Sequence, residues 1–323
     1  MGRRVLITGG AGFIGSHVAD AFLADGWEVS VLDNLSTGKR AQVPDGAAFH
    51  HLDIGDAEAA RLVREERFDA LCHLAAQIDV RKSVADPARD AMLNVVGSLN
   101  LLEAVRASGA PTRVIFSSTG GAVYGDLVTP PTVETAAKDP QSPYGTAKLS
   151  VEYYMGYYAR VHGMDTVALR YANVYGPRQD PHGEAGVVAI FCDRLIDGAP
   201  LTIFGDGKQT RDYVYAGDVA RANLLAACAT NLPAAAGVDS RAFNIGTSVE
   251  TDVVELARLL KSASGSASQI VHAPARAGEQ RRSAVAIGKA GEVLGWRPEV
   301  PLARGLAQTY RWFVDRRAQE VGA

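Results

Sequence analysis

The chain predicts an α/β fold, a doubly wound parallel sheet with a smaller carboxyl-terminal lobe, and three observations carry that prediction. Short apolar runs alternate with helical patterns through the first half. A glycine cluster follows the first run directly, and after residue 170 the alternation gives way to proline- and glycine-rich loops. Strands are expected at 4–8, 28–32, 47–52, 70–74, 113–117 and 166–170, and helices at 14–25, 57–66, 89–107 and 143–162. Such alternation implies a parallel sheet with helices on both faces, whose ligands collect at the carboxyl ends of the strands. The chain therefore divides into a first domain over 1–170, with return segments near 211–246, and a substrate lobe over 171–323. A further helix is expected at 250–261, followed by a solvated loop at 262–268, where the sequence reads SASGSAS.

The first element is the run Arg4 to Thr8, which leads into Gly9-Gly10-Ala11-Gly12-Phe13-Ile14-Gly15 and a helical pattern. Glycines at 9, 12 and 15 let the backbone turn sharply, approach a pyrophosphate and pack helix on strand, with the phosphates at the positive helix end. Phe13 and Ile14 open that helix and belong to the same cofactor contact. The second run ends in Asp33-Asn34, about twenty residues beyond the glycines, where a dinucleotide (Rossmann) fold places its ribose-binding acid. Asp33 accepts hydrogen bonds from the ribose hydroxyls and repels a 2′-phosphate, which predicts NAD rather than NADP. Asp53, with Ile54 beside it in HLDIGD, is either an adenine contact or the cap of the helix that starts near Ala57. Leu74-Ala75-Ala76, Asn94 and Ser117 complete the expected cofactor lining.

The catalytic candidates are Tyr144 and Lys148. A tyrosine four residues before a lysine shares a helix face with it, so both side chains can reach one bound molecule. Free tyrosine titrates near ~10, and a nearby ammonium together with a cationic nicotinamide is expected to bring its pKa towards working pH. Tyr144 then serves as the base. Ser117, Ser118 and Thr119 close the fifth strand, where small residues line the cofactor and hydroxyls face the substrate; either Thr119 or Ser118 meets the reacting hydroxyl.

Composition narrows the class. The formal net charge is −3, without the basic excess of a nucleic-acid binder. Cys72, Cys192 and Cys228 are widely spaced in apolar segments, form neither metal-ligand spacing nor a disulfide framework, and read as packing residues. No metal site is expected. No apolar run is long enough to cross a bilayer, and the expectation is a cytoplasmic enzyme.

Taken in order, TGGAGFIG, Asp33-Asn34, HLAA, the Ser/Thr strand end, Tyr144-x-x-x-Lys148, LRYANVYGPR and QTRDYVY resemble the extended short-chain dehydrogenase/reductases, close to their UDP-sugar 4-epimerases. The resemblance covers residues 4 to about 315. It implies NAD, a UDP-sugar substrate and C4 epimerisation through a transient 4-keto sugar. Members that dehydrate hexoses typically carry Thr-Asp-Glu at the strand end, and here Gly120-Gly121 follows Thr119; the glutamate usual in related UDP-glucuronate decarboxylases is missing too. By the same resemblance, Asn173 bonds the diphosphate and Arg211 neutralises it. Arg276 and Glu279 bind phosphate and ribose, and Phe204 either stacks near uracil or is a core aromatic. Ser283 stands where some epimerases carry a bulky tyrosine, which implies room for N-acetylated sugars. A UDP-glucuronate 4-epimerase stays open, since Arg178 or backbone donors could meet the carboxylate, and a non-catalytic NAD-binding regulator is the contrasting class. Tyr153, Tyr154, Tyr157 and Tyr158 follow the lysine on the same helical segment, where aromatics at these spacings are either core or part of a dimer face; family members commonly dimerise through this helix and the one near 89–107, and a homodimer is expected.

Overall fold

A computed structural model of the chain describes residues 2–182, 186–275 and 280–322. Seven strands form the central sheet: β1 (Arg4–Thr8), β2 (Glu28–Asp33), β3 (Ala48–His51), β4 (Ala70–His73), β5 (Arg113–Thr119), β6 (Asp165–Tyr171) and β7 (Ala242–Ile245). Their order is β7-β6-β5-β4-β1-β2-β3, and every pairing is parallel. The order reverses between β1 and β4, so the ligand crevice of a doubly wound sheet opens there. Both faces are covered. Helices α1 (Phe13–Ala24) and α5 (Ala216–Cys228) bury Val18, Phe22, Val219 and Ala222 on one face; α2 (Ala57–Glu66), α3 (Gly97–Ser108) and α4 (Pro143–His162) bury Val63, Leu101, Val151 and Met155 on the other.

Local chemistry explains the sharpest boundaries. At the start of α4 the Ser142 hydroxyl accepts from the Gly145 N–H at 3.1 Å, Pro143 fills the first turn, and Gly163 ends the helix at φ 68°. Cap, proline and left-handed glycine are all readable from sequence. The helix expected at 89–107 differs: a short helix Pro87–Ala91 passes through a π-helical turn, Met92–Val96, before α3. The wider turn puts the Asn94 amide against the chain after β4, where it receives the Gln77 N–H at 2.8 Å and donates to the Gln77 carbonyl at 2.9 Å. The helix expected at 250–261 is Val253–Ser264 (α6), so the serine-rich stretch begins within it and the loop starts only at Gly265, φ 64°.

The later chain builds a second core in which Phe191, Leu201, Ile203, Leu256, Leu260, Leu306 and Phe313 are buried together. Strand pairs in the later chain join Asn173–Tyr175, which directly follows β6, to Tyr213–Tyr215, and Arg282–Ser283 to Thr210–Arg211. The chain also returns to the sheet at a place the pattern does not signal: Ala290, Leu294 and Trp296 join the core under α1 and α5, and the Trp296 indole donates to the Asp218 carbonyl at 2.8 Å.

One sequence expectation needs correction. Cys228 is exposed and accepts a hydrogen bond from Arg3, because it is the last residue of α5; only Cys72 and Cys192 are buried packing residues. Of the four tyrosines, Tyr158 is buried, its hydroxyl on Glu103 at 2.5 Å, whereas Tyr153, Tyr154 and Tyr157 are exposed. Among the described residues, no helix is long and apolar enough to cross a membrane and no His, Cys, Asp and Glu side chains cluster as a metal site.

Candidate active site

At the switch point the backbone itself makes the cradle. Gly9 turns at φ 71°, donates to the Leu32 carbonyl at 2.8 Å, and leaves no room for a side chain: an added Cβ would lie 2.7 Å from the Ala75 nitrogen. At Gly15 a Cβ would fall 2.1 Å from the Gly9 carbonyl oxygen, so helix and strand can approach this closely only through glycine. Gly12 caps α1 without any side-chain bond, which leaves the N–H groups of the first turn, Phe13 and Ile14 included, available to an anion. The Asp33 carboxylate takes the Ala11 N–H at 3.0 Å and the Leu35 N–H at 2.8 Å, fixing it at the rim beside Gly38. A steric cradle ending in a fixed carboxylate fits a dinucleotide with a free ribose diol.

Neighbouring candidates are already tied. Asn34 donates to Asp53 at 2.6 Å, and Asp53 also accepts from the Gly55 N–H at 2.8 Å. The cap of α2 is Asp56, not Asp53, because the helix begins one turn later than an Asp53 cap requires; Ile54 is buried nearby. Leu74 and Ala75 are bound to Thr8, by its carbonyl at 3.1 Å and its hydroxyl at 3.2 Å, and Ala76 lies half-buried next to them. Asn94 is spent on Gln77 and Asp90; its amide shapes this wall of the crevice.

The tyrosine and lysine stand on the crevice side of α4. The Lys148 ammonium is buried, donates to the Ser117 carbonyl at 2.8 Å, and lies 4.6 Å from the Phe116 ring centroid and 5.9 Å from that of Tyr144. Desolvation pulls its pKa down to about 8 against the opposing pull of Asp90 and Glu152. Burial and then the charge of Asp90 push the Tyr144 phenol well above its ordinary value; the lowering expected from sequence is one that a bound cationic nicotinamide would bring together with the ammonium.

The strand-end hydroxyls separate cleanly. Alternate residues of a strand face opposite ways, and Ser118 is the buried one: its hydroxyl donates to Glu152, which is also bound by the fully buried Arg170 at 2.6 Å. Ser118 is thereby committed to the protein interior, which corrects its place among the reacting groups. Thr119 faces the other way. Its hydroxyl oxygen and the Asn173 side-chain oxygen each lie 3.9 Å from the point where a Cβ on Gly121 would sit, so the two flank the same glycine.

Among the remaining candidates, Arg211 donates to the carbonyls of Thr210 and Gln280, both at 2.8 Å, which anchors one guanidinium nitrogen beside Ser283. Phe204 is half-buried at the end of its strand. Arg276 and Glu279 lie outside the described residues. Arg178 pairs with Asp20 of α1.

Sequence reasoning missed Glu152, Arg170, Asp90 and Asp212. Glu152 follows Lys148 by four residues, the same spacing that revealed Tyr144, so the signal was present. Asp212 was silent. Buried, it receives the Thr247 N–H at 2.7 Å, the Ser248 N–H at 3.1 Å and the Thr247 hydroxyl at 2.6 Å, fixing the loop after β7 next to Arg211.

Comparison with known proteins supplies the family. A sequence model described as the NAD dependent epimerase/dehydratase family matches residues 5–246. The chain belongs to that family. It is 45% identical to a UDP-glucose 4-epimerase of Mycolicibacterium smegmatis over 97% of this chain and 99% of that one. Among solved structures, a UDP-glucose 4-epimerase of Thermotoga maritima with UDP-glucose superimposes with TM-score 0.91 at 48% identity, covering 97% of this chain and 99% of that one. A UDP-glucose 4-epimerase of Thermus thermophilus in complex with NAD gives 0.87 at 44%, covering 96% and 99%.

Proposed function

We propose that this protein interconverts the C4 epimers of a UDP-hexose, UDP-glucose and UDP-galactose, and accepts N-acetylated forms as well. The observation that carries the reading is the placement of Thr119 and Asn173 on either side of Gly121, at the end of the strand whose Ser117 carbonyl holds Lys148. NAD, when bound, supplies the reversible two-electron oxidation at C4. Tyr144 takes the proton of the 4-hydroxyl and returns it, Thr119 orients that hydroxyl, and Lys148 supplies the positive charge that favours the phenolate. Asn173 and Arg211 hold the diphosphate, where a planar guanidinium matches phosphate oxygens, while Arg276 and Glu279 complete the nucleotide contacts. Concentrating binding energy on UDP leaves the hexose free to present either face.

Ser283 supports the N-acetylated substrates, being a small side chain paired in register with Arg211. The exposed Met92, Val96, Tyr153, Tyr154, Tyr157 and Val161 on neighbouring helices support a homodimer through that face, and a monomer mass at micromolar concentration would rule against it. Three free thiols suit the cytoplasm.

Proton NMR of the purified protein, without added NAD, tests the reaction with UDP-glucose, UDP-N-acetylglucosamine and UDP-glucuronate in separate tubes. Interconversion of the first two is expected. Silence on all three, even with NAD supplied, would overturn the reading and leave an NAD-binding protein without turnover.

A further inference from the structure

Arg211, which the reading above puts on the diphosphate, is oriented by a residue that the reaction as described does not use. Its Nη1 donates to the carbonyls of Thr210 and Gln280, both at 2.8 Å, while Nε and Nη2 have no hydrogen-bond partner among the described residues. A guanidinium is planar, so holding one nitrogen against two carbonyls fixes the plane and leaves the Nε–Nη2 edge as a two-donor fork. The Thr210 carbonyl belongs to the neighbouring residue of the same strand. The Gln280 carbonyl arrives from 69 residues away, so its position decides how the fork is aimed.

Gln280 is held in turn by its own side chain, whose Nε2 donates to the Gly125 carbonyl at 3.1 Å. Gly125 is a firm anchor. Its backbone is left-handed, φ 69°, and a Cβ there would run into the Asp139 carbonyl, so the position requires glycine. Val123 and Tyr124 before it are buried, and the Tyr124 hydroxyl is bonded to Asn244 at 2.7 Å and Arg170 at 3.0 Å. On the other side, Arg281 reaches both carboxylate oxygens of Asp206, at 2.8 and 2.9 Å, and Arg282 bonds Glu250 at 2.9 Å. Gln280 therefore bridges two well-bonded walls: the segment that runs on from Thr119 through Gly121, and the strand pair that carries Arg211 and Ser283.

We propose that Gln280 is a positioning residue for nucleotide binding: its side-chain bond to Gly125 fixes its carbonyl, the carbonyl fixes the plane of Arg211, and the remaining fork of Arg211 takes phosphate oxygens of the UDP-sugar. The inference rests on the reading of Arg211 as a diphosphate ligand. The reacting hydroxyl meets Tyr144 and Thr119 instead, so the contribution of Gln280 is the same before and during the chemical step. Such uniform binding appears in KM and leaves kcat alone.

Gln280→Met tests it, since methionine keeps the length of the side chain and removes the amide donor. KM for UDP-glucose and Kd for UDP should rise together, by roughly threefold to tenfold, with kcat and NAD retention unchanged. Calorimetry reads the UDP affinity, and ligand-observed NMR reads that of uridine, which has no phosphate and should bind the variant as it binds the wild type. Gln280→Ala gives the same reading should the thioether pack badly. Unchanged UDP affinity in both variants would overturn the proposal, and so would a fall in kcat at unchanged KM. A loss shared equally by uridine would overturn it as well, reducing Gln280 to a tether between the two walls. A wild-type protein that binds UDP without turning over any UDP-sugar, and loses UDP affinity in Gln280→Met, would sustain the proposal while striking down the epimerase reading; a wild type that binds NAD but no UDP would strike down both.

Discussion

The glycine cradle after β1 and the acid–base pocket after β5 lie two strands apart along one edge of the sheet, and they are made by different forces. The cradle is steric: Gly9 and Gly15 admit no Cβ, and Asp33 at its rim is held by backbone N–H groups. The pocket is electrostatic, with Lys148, Glu152, Arg170 and Asp90 all nearly or fully buried. Local spacing can encode a steric device, because its parts are neighbours in the chain. Buried charges must instead be balanced by partners that arrive from elsewhere, as Arg170 arrives from β6 and Asp90 from the segment before the π turn.

The comparison breaks most visibly at Tyr144. Tyr144→Phe should lose about 10²–10⁴ in kcat and leave NAD retention intact, read by turnover and by the cofactor released on denaturation. On the cradle side the reverse pattern is expected. Gly15→Ala forces a methyl against the Gly9 carbonyl, an overpacking cost of about 1–3 kcal/mol that should weaken NAD retention roughly tenfold to a hundredfold; an alanine variant that copurifies with full cofactor would contradict the steric account.

Stability sharpens the contrast further. Arg170→Met strands Glu152 in the interior and should cost about 3–5 kcal/mol in denaturant unfolding. The double variant Arg170→Met, Glu152→Leu should recover much of that, since two apolar residues can replace a buried pair. A smaller effect is expected from His73, bonded to Thr8 at 2.7 Å and Ser98 at 2.8 Å. Its pKa is lowered from 6.5 to about 3, so between those values the unfolded chain binds the extra proton and stability falls as pH falls. The contribution is up to about 1.4 kcal/mol per pH unit, and His73→Gln should flatten that part of a urea-midpoint profile taken between pH ~6 and ~4. Least in energy is Ser283→Tyr, expected to suppress turnover of UDP-N-acetylglucosamine while sparing UDP-glucose, as read by the same NMR assay.

Much of the site is legible residue by residue. Ser142, Pro143 and Gly163 bound α4 by local chemistry, so Tyr144 and Lys148 could be placed on one helix from spacing alone. The choice between Ser118 and Thr119 could not be read, because alternation along a strand says that neighbours face opposite ways but not which way is inward. Arg170 and Glu152 decide it by claiming Ser118. The expected helix at 89–107 missed its π turn for a related reason: the bonds that favour it join Asn94 to Gln77, seventeen residues away in the chain, where no helical periodicity registers them.

The sequence by itself determined the alternating elements, the glycine cradle, the ribose acid and the Tyr144–Lys148 pair, since each is a pattern within a few residues or one helical turn. Only the tertiary structure decided the inward hydroxyl, the pairing of Arg178 with Asp20, and the return of Trp296 to the sheet. Those outcomes depend on burial and on the sum of charges around a point, and both are set by segments far apart in the chain.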